Sequence, residues 1–395
     1  MFDVIGKYNT AVIYALNTDS ESYAQVLKMC NTEELKGCRI RMMPDMHAAE
    51  GCTVGTSMTV GDKINPAYVG SDIGCGMQVY RLADRDVDFA RLDSVIRSEI
   101  PSGAAIFPRT SPAIKQVSIE ELYCFPTLRF DTVNRSIGTL GGGNHFIEID
   151  RGADGELYLV IHSGSRRLGK DVALYHQKTA FFTTHGITPE EVAKKKMKVT
   201  DVKSRLVPSK CFLSGVYAER YFHDMDIALK YAEVSRKDMG EKIISAMGFT
   251  VDESFTTVHN YIDTAKRILR KGAVSAALGE KLIIPINMRD GSLICRGKGN
   301  DEWNCTAPHG AGRLMKRSDA KASITLDEYR AAMKGIYTTS VNESTIDESP
   351  MAYRSIDDII DAIEPTVEIT DIALPVYNFK ASKGPVDEET ADGDD

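Results

Sequence analysis

The length of the chain and two kinds of apolar pattern predict a mixed fold of strands and helices, in one large domain or two. The chain has 395 residues, enough for a sizeable core. Strand patterns broken by glycines cover residues 51–60 and 67–80, and a strong strand is predicted over 157–161. Residues 188–247 instead carry apolar side chains on a broad stripe with a period of about 3.6 residues, which is typical of core-facing helices.

Shorter elements are predicted on either side of these regions. A helix over residues 20–29, with Asp19 or Ser20 as its N-cap, follows a strand over 11–15. Residues 37–43 read as a strand that runs into Pro44-Asp45-Met46-His47, and residues 86–100 read as a helix. Residues 281–297 predict two strands around a polar turn.

Composition excludes some classes of protein. The formal net charge is −8, so a protein that coats nucleic acid by bulk electrostatics is not expected, and any nucleic acid would need a local basic groove. The eight cysteines form no CxxC pair and do not suggest a zinc ribbon or a disulfide framework. No signal peptide or membrane span is visible in the sequence, which favours a reducing, cytoplasmic setting.

A glycine-rich stretch over residues 138–148 is the first candidate for a binding site. Gly141, Gly142 and Gly143 precede Asn144 and His145, and a strand pattern begins at once. Glycines let a ligand approach bare backbone, and the imidazole can ligate a metal. The sequence therefore predicts either a meeting point of nucleotide and metal or a simple glycine turn before a strand.

Metal-capable side chains recur at loops and strand ends elsewhere in the chain. Asp72 and Cys75 lie three apart in a loop with glycines at 70, 74 and 76, and His145, His162 and His259 have similar settings. These donors exceed the needs of one tetrahedral ion, and their types suit Zn, Mn, Co or Fe. Two divalent ions would suit phosphoryl transfer, because a pair can stabilise both the attacking and the leaving oxygens.

His309 stands in a different context. It is followed by Gly-Ala-Gly-Arg, and Arg313 and Arg317 are predicted to share one face of the following helix. Two guanidinium groups of this kind can grip phosphate. His309 could ligate metal, act as an acid or base, or form a phosphoramidate as a nucleophile, and a surface histidine at a helix N-terminus is the plain alternative.

Together these motifs resemble the RtcB family of RNA ligases. The residues that carry the resemblance cover nearly the whole chain in the family's order: 43–47, 70–77, 138–148, 162–166, 259–260, 308–313 and 383–384. The resemblance implies a single α+β domain over residues 1–384, with a β-rich core, a helical insertion at about 188–250 and a central dinuclear metal cleft. Residues 385–395 would form an acidic, disordered tail.

The resemblance also implies a reaction. A histidine would attack the α-phosphate of GTP in the presence of Mn²⁺, and GMP would pass to an RNA 3′-phosphate. The 5′-OH of a second RNA end would then displace GMP, and a 2′,3′-cyclic phosphate would first be opened by water. An activating protein is a further possible partner, and the choice between RNA repair and tRNA splicing stays open.

On this sequence the resemblance makes His309 the nucleophile and Asp45 the residue that orients it. Asp72, Cys75, His145, His162 and His259 would hold two Mn²⁺ ions, with Cys75 bridging, and Arg166, Arg313 and Arg317 would clamp RNA phosphates. The guanylate would be surrounded by Asn144, His145, Phe146, Ile147, Glu148, His259, Asn260, Pro285, Ile286, Asn287, Met288, Ser292, His309, Gly310, Ala311, Gly312 and Lys383.

Several positions depart from the family pattern. Glu50 stands in the His47 loop where a lysine is usual, Arg167 replaces a small residue, and Lys316 replaces a serine. These departures concern the RNA preference rather than the metal ligands. Two other functions compete with the ligase: a dinuclear metal phosphohydrolase or cyclic phosphodiesterase without nucleotidyl transfer, and a non-catalytic RNA-binding relative.

Overall fold

The structure is a computed structural model that describes residues 1–381. Lys383 and the predicted acidic tail therefore lie outside the described residues. Within the described part, no helix is both long and apolar enough to cross a membrane.

The described residues contain eighteen strands. They are β1 Phe2–Ile5, β2 Thr10–Ile13, β3 Ile40–His47, β4 Val54–Thr59, β5 Lys63–Ile64, β6 Gly76–Leu82, β7 Phe146–Arg151, β8 Leu157–Ser163, β9 Leu213–Ser214, β10 Val251–Val258, β11 Asn260–Asp263, β12 Ile268–Lys271, β13 Ala273–Ser275, β14 Lys281–Asn287, β15 Gly291–Gly297, β16 Thr306–Pro308, β17 Tyr337–Thr338 and β18 Val367–Lys380.

The helices lie between and around these strands. They are α1 Ser20–Cys30, α2 Phe89–Glu99, α3 Phe130–Ser136, α4 Arg166–Thr184, α5 Pro189–Lys195, α6 Val216–Met247, α7 Arg317–Ser323, α8 Leu326–Ala332 and α9 Ile356–Ile363. Short 3₁₀ turns fill much of residues 101–128, a region in which the sequence predicts no regular element.

Two large sheets form the β-rich core. A six-stranded sheet has the order β1-β2-β3-β4-β12-β11, and an eight-stranded sheet has the order β10-β6-β8-β7-β18-β15-β14, with β17 added beside β18. Most pairings are antiparallel, whereas β2 with β3 and β17 with β18 are parallel. The mixed α and β character with a broad β core confirms the predicted fold class.

Several local predictions are confirmed because their signals are local. Asp19 caps α1 by accepting a hydrogen bond from the backbone of Ser22, as predicted from the residue type at that position. Asp88, which the sequence analysis does not name as a cap, caps α2 in the same way through Arg91. The two strands predicted over 281–297 are β14 and β15, which pair in an antiparallel hairpin.

Helix α6 lies at the centre of the molecule rather than on its rim. Its apolar residues belong to two different core clusters: Tyr221, Met225 and Tyr231 pack in one, and Met239 and Ile243 in the other. The region 188–215 before it contains only the short helix α5, two 3₁₀ turns and β9. The stripe read from the sequence is thus a core-forming face on α6.

Candidate active site

A cleft of about 230 Å³ opens where strands of both sheets end. The residue after β16 is His309, the residue between β10 and β11 is His259, and β8 ends beside His162. Strands β7 and β18 bring Glu148, Asn378 and Lys380 to the same cleft. Residues far apart in the chain therefore meet because sheet pairing aligns the ends of their strands.

The loop before β6 carries Asp72 and Cys75 and is fixed from behind by a buried arginine of α6. Arg236 is about 1% exposed, and its Nη1 donates to the carbonyls of Gly74 and Ser163, both at 2.8 Å. One side chain thereby joins the Cys75 loop to the end of β8. Its guanidinium also places a positive charge near Cys75 and Asp72.

Two glycines make close approaches that a larger residue would prevent. A Cβ at Gly164 would lie 1.9 Å from Oδ1 of Asp72, so glycine is needed where this loop passes the carboxylate. A Cβ at Gly141 would lie 1.7 Å from the guanidinium of Arg166, and Gly141 has a φ of +83°. The glycine stretch read from the sequence thus serves partly to admit Arg166.

Thiol, carboxylate and imidazole groups form a continuous buried cluster. Sγ of Cys75 lies 3.5 Å from Nε2 of His145 and 3.2 Å from Nε2 of His162. Nε2 of His145 lies 3.4 Å from Oδ2 of Asp72, and Nε2 of His162 lies 3.4 Å from Nε2 of His259. The contacts run from Asp72 to His259 with Cys75 in the middle.

The histidines of this cluster direct their Nε2 atoms toward its centre. Nδ1 of His145 is 2.9 Å from the carbonyl of Leu140, and Nδ1 of His162 is 3.3 Å from that of Asn144. Each of these Nδ1 atoms therefore carries a proton and donates it to a backbone carbonyl. Burial, and to a smaller extent the neighbouring histidines, lower the pKa values of His162 and His259 well below that of an ordinary histidine.

Asp72 is anionic in this setting. Burial opposes its ionisation, but the hydrogen bond to His145 and the charges of His145 and Arg166 lower its pKa to about 2. One carboxylate, one thiol and neutral imidazoles are the donor set that a borderline divalent ion prefers. Cys75, His145 and His162 lie close enough to share one ion, and the hydrogen bonds from Nδ1 to carbonyls are the support that metal-bound imidazoles usually have.

His309 is paired with a fully buried carboxylate. Its Nδ1 lies 2.7 Å from Oδ2 of Asp45, and its backbone N–H donates to the same oxygen at 3.2 Å. The His309 side chain is 18% exposed and faces the cleft, and its ring centroid lies 4.9 Å from that of His259. Because Asp45 accepts from Nδ1, Nε2 carries the lone pair. We call His309 together with the Asp72-to-His259 cluster the histidine end of the cleft.

The opposite end of the cleft is held by ion pairs. Glu348 is 3% exposed and contacts Lys380 and Arg317, and Arg313 lies 3.7 Å from it. Burial opposes the ionisation of Glu348, but the charges of Lys380, Arg317 and Arg313 lower its pKa well below the ordinary value. Arg317 also contacts Asp347 at 2.9 Å. We call Arg313, Arg317, Asp347, Glu348 and Lys380 the ion-paired end.

The prediction that Arg313 and Arg317 share a helix face is wrong. Helix α7 begins only at Arg317, and Arg313 lies in the extended segment before it, bridged to Tyr353. The two side chains still converge, because both reach toward Glu348.

Most residues predicted to surround the guanylate line the cleft. They are Asn144, Phe146, Glu148, His259, Asn260, Pro285, Ile286, Asn287, Met288, His309, Gly310, Ala311 and Gly312. His145 lies behind them in the buried cluster. Ile147 instead packs in the apolar core on the other face of β7, and Ser292 is fully buried beside Asp150. Arg166 lies against Gly141 and the carbonyl of Gly103, where its charge acts on Asp72.

Several cleft residues are absent from the sequence predictions. Glu348, Asn378 and Lys380 line it beside Glu148, and Lys271, which is 5% exposed, lines it beside Glu50. Lys271 donates to the carbonyl of Glu50, and burial lowers its pKa. A signal was available for Lys380: Asn378 and Lys380 alternate along β18 with the apolar residues Tyr377 and Phe379.

The fold and site define a mixed α/β protein with a metal-capable thiol–imidazole centre next to a buried histidine–aspartate pair. Comparison of the sequence with known protein families identifies the family of the chain. The model of the family described as tRNA-splicing ligase RtcB matches residues 28–124 and 126–381. The chain belongs to the RtcB family, which confirms the resemblance read from its motifs.

Individual relatives agree with this assignment. The RNA-splicing ligase RtcB of Escherichia coli K12 is 31% identical over 371 residues, which cover 84% of this chain and 87% of that protein. The tRNA-splicing ligases RtcB of Aeropyrum pernix and Methanococcus maripaludis are each 26% identical. Their alignments cover 88% and 81% of this chain, and 89% and 82% of those proteins.

Proposed function

We propose that this protein is an RNA ligase that uses GTP and Mn²⁺ to join an RNA 3′-phosphate or 2′,3′-cyclic phosphate end to a 5′-OH end. The observation that carries the proposal is the His309–Asp45 pair at the edge of a metal-capable cluster. The ligase names of the relatives support the reaction class.

In the first step, Nε2 of His309 forms a bond to the α-phosphorus of GTP, and the bond from that phosphorus to the leaving pyrophosphate breaks. Asp45 keeps the proton on Nδ1, so that Nε2 is the nucleophile, and stabilises the positive charge that develops on the ring. Asp72, Cys75, His145, His162 and His259 would hold the Mn²⁺ ions. When bound, these ions supply charge neutralisation at the phosphates.

In the second step, an RNA 3′-phosphate oxygen attacks the phosphorus of the His309-bound GMP, and the P–N bond breaks. The 5′-OH of the other RNA end then attacks the activated 3′-phosphate, loses its proton and releases GMP. A cyclic phosphate end is first opened by water.

The ion-paired end supports a modified account of how RNA phosphates bind. Arg313 and Arg317 are already paired with Glu348 and Asp347, so they have less free charge than two unpaired arginines. Lys271 also lines the cleft, and no carboxylate in the described part of the chain forms an ion pair with it. We therefore add Lys271 to Arg166, Arg313 and Arg317 as a phosphate contact.

The test is incorporation of label from α-labelled GTP with Mn²⁺. Wild type should acquire an acid-labile label, and His309→Ala should acquire none. His223→Ala is the matched control, since His223 is half-buried, contacts the carbonyl of Glu121 and does not line the cleft. Label that persists in His309→Ala would exclude the mechanism.

A joining assay separates the ligase from a metal phosphohydrolase. RNA with a 2′,3′-cyclic phosphate end and RNA with a 5′-OH end should be joined by wild type only when GTP is present. Opening of the cyclic phosphate without joining would favour a phosphodiesterase.

A further inference from the structure

Two carboxyl side chains point into an apolar layer of the molecule next to the cleft. On β7, Phe146, Glu148 and Asp150 alternate toward one face, where Met77, Val160, Ile283 and Ile294 pack, whereas Ile147 and Ile149 face the other core. Glu148 is 3% exposed and Asp150 is 0% exposed. A sheet face of this kind would ordinarily present apolar residues, so two acids here call for a role.

The two acids differ in their partners. Glu148 lines the cleft, and its Oε2 accepts a hydrogen bond from Nδ2 of Asn378 on β18. Asp150 does not line the cleft, and in the described chain neither of its oxygens has a donor at normal hydrogen-bonding distance. Its near polar neighbours are the Glu148 carboxyl and the Ser292 hydroxyl.

Two adjacent buried carboxylates cannot both stay ionised, so the pair holds a proton. The charged and polar groups around the pair decide where that proton lies. Burial raises the pKa of Glu148 above its ordinary value, whereas Asp150, Asn378 and Lys380 oppose this rise and favour the ionised form. Ser292 on β15 is beside Asp150. Tyr158 on β8 stands opposite Asp150 but donates its hydroxyl to Asp371, and β6 and β14 contribute apolar side chains. Burial and the neighbouring Glu148 charge raise the pKa of Asp150 well above its ordinary value.

We infer that Asp150 is a positioning residue that holds the shared proton and so keeps Glu148 as an acceptor-only carboxylate, which selects guanine over adenine. This inference rests on the proposed use of GTP. Guanine presents two N–H donors, N1–H and the N2 amino group, to an acceptor at that edge. Adenine presents the N1 acceptor there, and only a protonated, donating Glu148 could bond to it. Asp150 would thus set base preference without touching the nucleotide.

The first experiment measures nucleotide preference. Wild type, Asp150→Asn, Asp150→Val and the control Asp371→Asn are labelled with α-labelled GTP or ATP and Mn²⁺ between pH 6 and pH 9. Asp150→Asn keeps a donor for Glu148 and should retain the GTP preference. Asp150→Val should lose about 10- to 100-fold of that preference near neutral pH, the range expected when a hydrogen bond to a charged group is removed.

The pH profile distinguishes this role from a merely structural one. Without the Asp150 donor, Glu148 should bind a proton more readily, so the GTP preference of Asp150→Val should recover as the pH rises. A folded Asp150→Val with wild-type preference and a flat profile would overturn the inference, as would a pH-independent loss.

A second measurement does not depend on GTP. The infrared carbonyl band of a protonated carboxylic acid should be present in wild type at neutral pH and absent in Asp150→Asn. If wild type takes no label from GTP, the proposed function fails, and the infrared band still decides whether Asp150 holds the proton. If wild type labels but the band is the same in both proteins, the role of Asp150 is wrong.

Discussion

The two ends of the cleft are organised by opposite kinds of contact. At the histidine end, the pKa values of the buried His162 and His259 are lowered, and their Nε2 atoms lie 3.4 Å apart. At the ion-paired end, Glu348 is matched with Lys380 and Arg317. The Nε2 atoms of the histidine end would gain favourable interactions when a cation is added, whereas the cations of the ion-paired end already have carboxylate partners without a ligand. Changes at the two ends should therefore affect different measurements.

The largest expected effect is on the rate at the histidine end. Asp45→Asn should reduce transfer of GMP to His309 by about 10⁴-fold, because an amide no longer fixes the proton on Nδ1. Thermal unfolding should change little, because asparagine has the size of aspartate and can still accept from the backbone N–H of His309. GTP binding should also change little, because Asp45 does not line the cleft. Single-turnover labelling measures the rate. A loss of GTP affinity with a normal rate would contradict this role of Asp45.

At the ion-paired end the expected effect is on stability. Glu348→Gln should lower the free energy of unfolding by about 3–5 kcal/mol at pH 7, because three cations lose a buried partner. Glu343→Gln, an exposed change in the same turn, is the matched control. Chemical denaturation measures both.

The same pair of variants has a defined pH dependence. The pKa of Glu348 is lowered in the folded state, so its contribution is complete above the unfolded pKa of about 4.3 and declines as the pH falls below it. The difference between wild type and Glu348→Gln should therefore be constant near neutral pH and shrink in acid. A difference that grows in acid would contradict the assignment.

A smaller effect is expected on metal binding. Cys75→Ala should weaken Mn²⁺ binding by at least about 100-fold, the upper end of losses for groups that merely orient metal ligands. Without metal, its unfolding should match wild type within about 1 kcal/mol. Cys295→Ala, in a separate core, is the control. Titration calorimetry measures the affinity, and unchanged affinity would remove Cys75 from the metal site.

The smallest effect is expected for Arg317→Gln, at about 1 kcal/mol of unfolding free energy. Its side chain is 22% exposed, and Glu348 would keep Lys380 and Arg313 as partners. If Arg317→Gln cost as much as Glu348→Gln, the ion-paired end would depend on Arg317 alone. Denaturation of the two variants under the same conditions decides this.

The chemistry predicted for the site depends on residue types, so the sequence was enough to name many of the residues that meet there. Asp72, Cys75, His145, His162 and His259 were named as one set and form one buried cluster. Their number and their positions beside glycines and strand ends carried that prediction. Their use by two Mn²⁺ ions stays a prediction, as do the acidic tail and Lys383, which lie outside the described residues.

Other features could not be read from local patterns. The pairing of Arg313 and Arg317 with Asp347 and Glu348 joins residues 30 or more positions apart, and no periodicity links them. Lys380 reaches the cleft because β18 pairs with β7, which places it opposite Phe146. The contact between Glu148 and Asp150 affects their protonation only because an apolar layer covers both side chains.

The sequence by itself determined the cap of α1, the β14–β15 hairpin and the family, because each depends on neighbouring residues or on ordered motifs. Only the tertiary structure decided which charged side chains are already ion-paired, which of the two buried acids holds the shared proton, and which side of α6 supports the Cys75 loop. These properties depend on burial and on distances between segments joined by sheet pairing. The fold therefore decides whether a carboxylate in the sequence is available as an acceptor, and whether a guanidinium is available as a donor.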